Sequence, residues 1–259
     1  DVGRVLGMDY GVVDAIAKEL RAGTFIQSDA TGMPILDGQK NEPRRSHLWS
    51  YTDGTQVVFQ ASLDRRQQHP ADFLDGFEGT LLTDGAGDYN AAAARDGVVR
   101  AGCWAHARRK FFEARKADPT RAGRALSSIR QVFLVEKGVK ELSAEDRARE
   151  RRQRLGPVLA RFRAELDAWS QTCRPKSPLG KAITYARRQW DTLVVFLDDG
   201  TAPPHNNTSE RLHRTPVVGR KNWMFAGSEG GAHSAAIHFS IVLSCELAGI
   251  DPMAYLRDV

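Results

Sequence analysis

Three acids, Asp29, Asp84 and Glu210, stand where carboxylates could do chemistry. Asp84 closes the run LLTD and is followed by GAGDYN. A short apolar stretch that stops at an acid and then turns reads as a buried strand ending at a working edge. In open α/β sheets, ligands collect beyond the carboxyl ends of strands. Asp29 lies in FIQSDATGMPIL and Glu210 in HNNTSERLHR. Carboxylate oxygens suit Mg2+, which usually takes one or two carboxylates plus substrate phosphate, so several acids must converge. Two such ions about 3.5–4 Å apart activate a water or a 3′-hydroxyl and stabilise the leaving oxygen of a phosphodiester. Each acid also has a plainer use. Asp29 can satisfy a local turn, Asp84-Gly85 is a common turn pair, and Asn207-x-x-Glu210 has capping-box spacing. Asp37, Asp53, Asp88 and Glu229 are competing acids.

The surrounding elements decide which acids can meet. Residues 9–22 have helical apolar spacing, with Gly23 as a stop. TFIQSDATGMPIL reads as a strand with Asp29 near its middle, and LDGQKNEPRR as a polar turn. HLWSYTDG and TQVVFQASL form a hairpin around Asp53-Gly54, which makes the first three strands sequential and antiparallel. A short helix at DRRQQHPADFLDGF precedes a fourth strand, GTLLTD. The alanines of YNAAAARDG are helical, VVRAGCW is a fifth strand, and AHARRKFFEARK is a basic amphipathic helix with Phe111 and Phe112 inward. From about 118 to 190 every periodic segment is helical. TSERLHR starts a helix that Pro216 limits, VVGRKNWMFAGSEGGAHS is a glycine-rich connection, and AAIHFSIVLSCELAGI and DPMAYLRDV are closing helices.

This order predicts an α/β fold, a ribonuclease-H-like mixed sheet with an all-helical insertion and a helical C-terminal extension. The first strand would lie centrally beside the fourth, so that Asp29 and Asp84 share a cation. The expected divisions are an N-terminal helix over 1–23, left from a longer N-terminal region; a first core segment over 24–117; the insertion over 118–200; a core segment with the third acid over 201–225; and the extension over 226–259.

The net charge of +5 is mild, but its distribution is not. Basic residues crowd 100–116, 147–163, 174–188 and 211–221, and only the second group is closely flanked by acids. Unbalanced positive charge suits a phosphate backbone. Arg108, Arg109 and Lys110, and Arg211, Arg214, Arg220 and Lys221 around Glu210, are the candidate DNA contacts. Arg214, four residues after Glu210, could instead pair with it. Trp104 and Trp223 read as core residues. Cys103, Cys173 and Cys245 are odd in number and far apart, against a disulfide framework. Cys103-x-x-His106 is half of a zinc pattern without a second half. No apolar run approaches the ~20 residues of a membrane helix, and the expected setting is cytoplasmic, at the nucleoid when DNA-bound.

The motifs also carry a resemblance. SDATGMPILD, HPADFLDGFEGTLLTDGAGDYN, CWAHARRKFFEA, NNTSERLHR and GRKNWMFAGSEGGAHS run in order over most of the chain. Together they resemble a DDE transposase of the insertion sequence 66 family. The resemblance implies that Asp29, Asp84 and Glu210 are a catalytic, metal-binding triad for two Mg2+ ions, with Mn2+ as a substitute. It implies cleavage of double-stranded DNA at transposon ends and strand transfer to a target, by a homo-oligomer on DNA, with accessory proteins encoded by the element. The alternatives are a hydrolytic nuclease of the same fold and a non-catalytic DNA-binding remnant. Ala30 stands where such proteins usually have an acidic or polar residue, and His205 where they commonly have an acid.

Overall fold

The structure, a computed structural model, describes residues 10–36 and 42–258. Asp37, with half of the expected polar turn, and the start of the first helix lie outside the described residues. The protein is mixed α/β, with one five-stranded sheet of order β3-β2-β1-β4-β5. The strands are β1 (Phe25–Gly32), β2 (His47–Thr52), β3 (Val57–Ser62), β4 (Gly79–Thr83) and β5 (Val98–Gly102). As expected, β1, β2 and β3 are sequentially antiparallel, with Asp29 opposite Ser50 and Ser50 opposite Phe59. β1 stops four residues short of the expected end, and Ile35 makes only isolated bridges, to Arg44 and Ala226.

The described residues divide into two compact units, one of residues 10–36, 42–81, 86–99 and 207–258, the other of residues 82–85 and 100–206. In the first unit, α1 (Tyr10–Ala22), α2 (Gln68–Phe73) and α3 (Asn90–Ala93) accompany the strands. The chain returns to this unit as α9 (Asn207–Leu212), α10 (Arg214–Trp223), α11 (Glu229–Ala248) and α12 (Pro252–Asp258). Val13, Leu20, Ile26, Trp49, Tyr51 and Leu81 belong to one buried cluster, and Leu48, Phe59, Leu212 and Leu243 to another.

The edge strand β3 is covered by α11. Ser240 Oγ accepts from Phe59 N at 2.8 Å and donates to Ala236 O in its own helix. One turn on, Ser244 Oγ accepts from Val57 N and donates to Val57 O, both at 3.0 Å. An exposed strand edge is a template for unwanted pairing, and covering it with a helix removes that hazard. The serines in this very apolar helix therefore have a structural use. No single helix among the described residues is long and apolar enough to cross a membrane.

The second unit is mainly helical, with α4 (Trp104–Ala114), α5 (Pro119–Val139), α6 (Ala144–Thr172), α7 (Pro178–Arg188) and α8 (Trp190–Val194). Trp104, Phe111, Ile129, Phe162, Leu166 and Ile183 are among its fully or nearly fully buried residues. Arg151 is also fully buried; its guanidinium pairs with Glu136 and donates to the carbonyls of Phe196, Asp199 and Ala202.

Several expectations fail for local reasons. Phe111 and Phe112 cannot both face inward, because neighbours on a helix point about 100° apart. Phe111 is buried, while Phe112 is 49% exposed under the guanidinium of Arg115. Pro216 does not limit a helix. The break falls at His213, and Pro216 sits in the first turn of α10, where its missing N–H costs nothing. The expected glycine-rich connection is largely helical. Ser228 Oγ accepts from Gly231 N and starts α11, with Gly230 and Gly231 in its first turn. Trp104 is core, its indole N–H donating to Leu193 O, but Trp223 is 37% exposed at the end of α10.

Replacing Ser240 and Ser244 together by alanine strands the buried N–H groups of Phe59 and Val57. We expect a loss of about 1–3 kcal/mol per stranded group, read as a lower urea midpoint with an unchanged urea dependence, together with concentration-dependent self-association from the uncovered edge.

Candidate active site

The site in the first unit is built on β1 and on the helix that returns to it. Ser50, which stands opposite Asp29 in the β1–β2 pairing, is fully buried. α9 packs directly on β1 and β2. Ser209 of α9 and His213, at the α9–α10 junction, are four residues apart and face the sheet together. Ser50 Oγ lies 2.7 Å from Ser209 Oγ and 2.8 Å from His213 Nε2. His213 also meets Phe59 edge-on, with ring centroids 5.5 Å apart. Burial lowers its pKa to about 4, against a smaller raising effect of the Asp29 main-chain carbonyl. The imidazole is thus neutral and works as a hydrogen-bonding strut.

This lock fixes the helix that carries Glu210, the residue after Ser209. Glu210 and Asp29 are both half-buried. Asp29 Oδ1 accepts from Ala30 N at 2.8 Å. The structure therefore brings the elements of these two acids together within one unit. It does not pair Glu210 with Arg214. α9 ends at Leu212, so the two residues do not share an uninterrupted helix, and Arg214 is exposed with no acid in ion-pair range among the described residues.

Asp84 belongs to the second unit, where it follows β4 directly. Its turn is held by Tyr185 and Arg100. Tyr185 Oη donates to Asp84 O at 2.8 Å, and Arg100 Nε donates to Thr83 Oγ1 at 3.1 Å. Gly85 has φ +86°, and a Cβ there would lie 3.0 Å from Gln189 Oε1, so both backbone conformation and space call for glycine. Burial, reinforced by Cys103 and Asp84, pushes the Tyr185 phenol well above its ordinary pKa, so it remains a donor.

The competing acids have other uses. Asp53 Oδ1 accepts from Thr55 N, Thr55 Oγ1 and Gln56 N in the hairpin turn, and Asp88 pairs with Arg65 at 2.8 Å. Glu229 opens α11 at the surface. Of the candidate DNA contacts, Arg108, Arg109, Arg211, Arg214 and Lys221 are exposed. Lys110 lies 4.7 Å from the Tyr185 ring centroid. Arg220 has a structural partner, the carbonyl of Gly32 at the end of β1.

The chain matches the family described as "Transposase IS66 family" over residues 4–234. It belongs to that family. Among its relatives in Sinorhizobium fredii (strain NBRC 101917 / NGR234), uncharacterized protein y4hP is 32% identical, over 96% of this chain and 49% of that protein. Uncharacterized protein y4jD is 31% identical, over 95% of this chain and 51% of that protein. This IS66-family chain thus spans about half the length of these relatives.

Sequence reasoning missed Ser50, Ser209 and His213. The available signal was Ser209-x-x-x-His213, a polar pair one turn apart on a helix that must return to a sheet. It also missed Tyr185, whose ring interrupts an otherwise basic helix face.

The neutral, buried His213 makes a pH prediction. Below its unfolded pKa near 6.5, the unfolded chain binds a proton that the folded chain excludes. Stability is then full above about pH 6.5 and falls as pH drops towards 4, by on the order of 3 kcal/mol from this group. Urea midpoints of metal-free protein at neutral pH and near pH 5 should differ more for the wild-type chain than for His213→Gln; equal differences would place the titration elsewhere.

Proposed function

We propose that this chain is the catalytic part of a DNA-cutting and DNA-joining transposase, with a ribonuclease-H-like core in which Asp29, Asp84 and Glu210 form the active site. The observation that carries the proposal is the seating of α9, with Glu210, against β1, with Asp29. The sheet order supports it as well, because β1 lies between β2 and β4, and Asp84 is the first residue after β4. Membership of the transposase family supports a substrate class of double-stranded DNA at element ends and at a target.

The donor set fits divalent magnesium or manganese, since all three side chains offer hard oxygen ligands. Bound there, two such ions would activate the attacking oxygen and neutralise charge on the leaving one. The chain's own residues would do the positioning. The Ser50–Ser209–His213 lock sets the depth of Glu210. The N–H of Ala30 orients one oxygen of Asp29, and Tyr185 fixes the backbone on which Asp84 sits. Water attacks first and frees a 3′-hydroxyl, which then attacks the target phosphodiester in line. Most of the acceleration comes from holding the reacting groups in place. We further propose that the protein acts as a homo-oligomer on DNA, with accessory proteins from the same element.

Asp29→Asn, Asp84→Asn and Glu210→Gln should each lower end cleavage and strand transfer about 100-fold or more, the scale of a lost transition-state electrostatic contact, while leaving the far-UV circular dichroism unchanged. The assay is a supercoiled plasmid carrying the element ends, with Mg2+ or Mn2+ and a chelator control. Undiminished cleavage by Asp84→Asn would refute the triad. Cleavage without joined products would favour a hydrolytic nuclease of the same fold.

A further inference from the structure

The second unit carries a basic cleft that the three acids do not explain. It has a volume of about 430 Å³ and is lined in part by Lys176, Lys181, Thr184, Tyr185 and Arg188, with Gly85 at one side. Lys181, Thr184, Tyr185 and Arg188 follow the spacing of one helix face. The opposite face of α7, with Leu179, Ala182, Ile183 and Ala186, is buried in the helical core. Polarity alone would make the cleft side an ordinary solvated surface. Its charge and its anchorage argue otherwise.

No acid is among the described residues that line the cleft. Arg187, on the neighbouring face, is paired with Asp167 at 2.7 Å. Lys176, Lys181 and Arg188 have no ion pair among the described residues and are exposed. Lys110 adds a further cation above the Tyr185 ring. The cations on this face are therefore left without ion pairs among the described residues, whereas Arg187 beside them is neutralised. Tyr185, in the middle of the face, donates to the main chain of Asp84. A ligand on this face thus lies alongside the Asp84 turn within the same unit. Lys181 and Arg188 are seven residues apart, roughly 10 Å along a helix, which matches about three nucleotide steps of one strand of a duplex.

We propose that this face of α7, extended by Lys176, binds the phosphodiester backbone of the DNA strand delivered to Asp84. Lys181 and Arg188 hold phosphates on either side of Tyr185, and the Thr184 hydroxyl donates to an oxygen between them. Such contacts set position and register without reading sequence. The proposal rests on the catalytic reading of Asp84 for the identity of the ligand, but its test does not depend on catalysis.

The test measures binding of a fluorescein-labelled duplex of generic sequence by anisotropy over a KCl series, with chelator present. The chain is compared with Lys176→Gln/Lys181→Gln/Arg188→Gln and with a charge-matched control, Arg130→Gln/Arg154→Gln/Arg161→Gln, whose arginines are exposed on α5 and α6. The cleft variant should lose roughly two to three units of slope in log K against log salt, near one per phosphate contact, while the control keeps the wild-type slope. An unchanged slope in the cleft variant, an equal loss in the control, or no duplex binding by the wild-type chain would overturn the proposal. So would displacement of DNA by inorganic phosphate beyond the effect of ionic strength, which would assign the cleft to a small free anion. Cleavage lost in Asp84→Asn with a normal slope in the cleft variant would refute this inference alone. Cleavage retained in Asp84→Asn with a reduced slope would refute the catalytic reading and leave a DNA-binding face.

Discussion

The hydroxyl of Ser50 is the contact on which the first unit depends. The chain leaves the sheet after β5, builds four helices of one core and a short fifth, and comes back at Asn207. Loop closure penalises such an excursion only slowly with length, so the long detour is tolerable. It says nothing, however, about where the returning helix should land. Ser50 supplies that information by meeting both Ser209 and His213. It is buried, so no solvent can replace either partner without cost. A slip of one residue in the β1–β2 pairing would turn Ser50 to the other face of the sheet. The landing of α9 and the register of the strand bearing Asp29 are therefore one constraint.

A related device acts in the second unit, where the segment around 195–202 has no strand or long helix to satisfy its carbonyls. Arg151 reaches in from α6 and takes three of them, with Glu136 balancing its charge. A buried ion pair is weak evidence for net stability, because desolvation opposes it. Here its value is directional. A planar guanidinium offers several donors in fixed directions, and only one path of the backbone meets all of them. The Phe196 ring under the guanidinium adds a packing contact to the same group. The irregular stretch is thus held in one conformation shortly before the chain crosses to its other unit.

The strands were legible because apolar and turn residues punctuate them. HLWSYT and VVFQAS alternate or run apolar between polar breaks, and Asp53-Gly54 marks the bend. The helices α4 to α7 were legible from spacing alone. What failed was the reading of isolated breakers. Pro216 ends a helix or begins one according to its position in the turn, and Gly230 and Gly231 are tolerated at a helix start once Ser228 caps it. The two acids of the first unit were legible as candidates by type and setting. The lock that positions one of them was not, because Ser50 is separated from its partners by 159 and 163 residues and no local pattern spans that distance. The charge of 174–188 was visible in the sequence. Its division into a paired and an unpaired face needed the position of Asp167.

The acids of the chain are fixed in different ways. The hairpin takes the carboxylate of Asp53 for its turn, and Arg65 takes that of Asp88. At Asp84 the fold grips the main chain, through the Tyr185 phenol on the carbonyl and the close fit around Gly85. The phenol on the carbonyl fixes where the side chain of Asp84 begins. The same tyrosine stands in the middle of the basic face of α7. One side chain therefore couples the position of a candidate metal-binding acid to that of the phosphate backbone it would act on, and the coupling needs no contact with the chemistry itself.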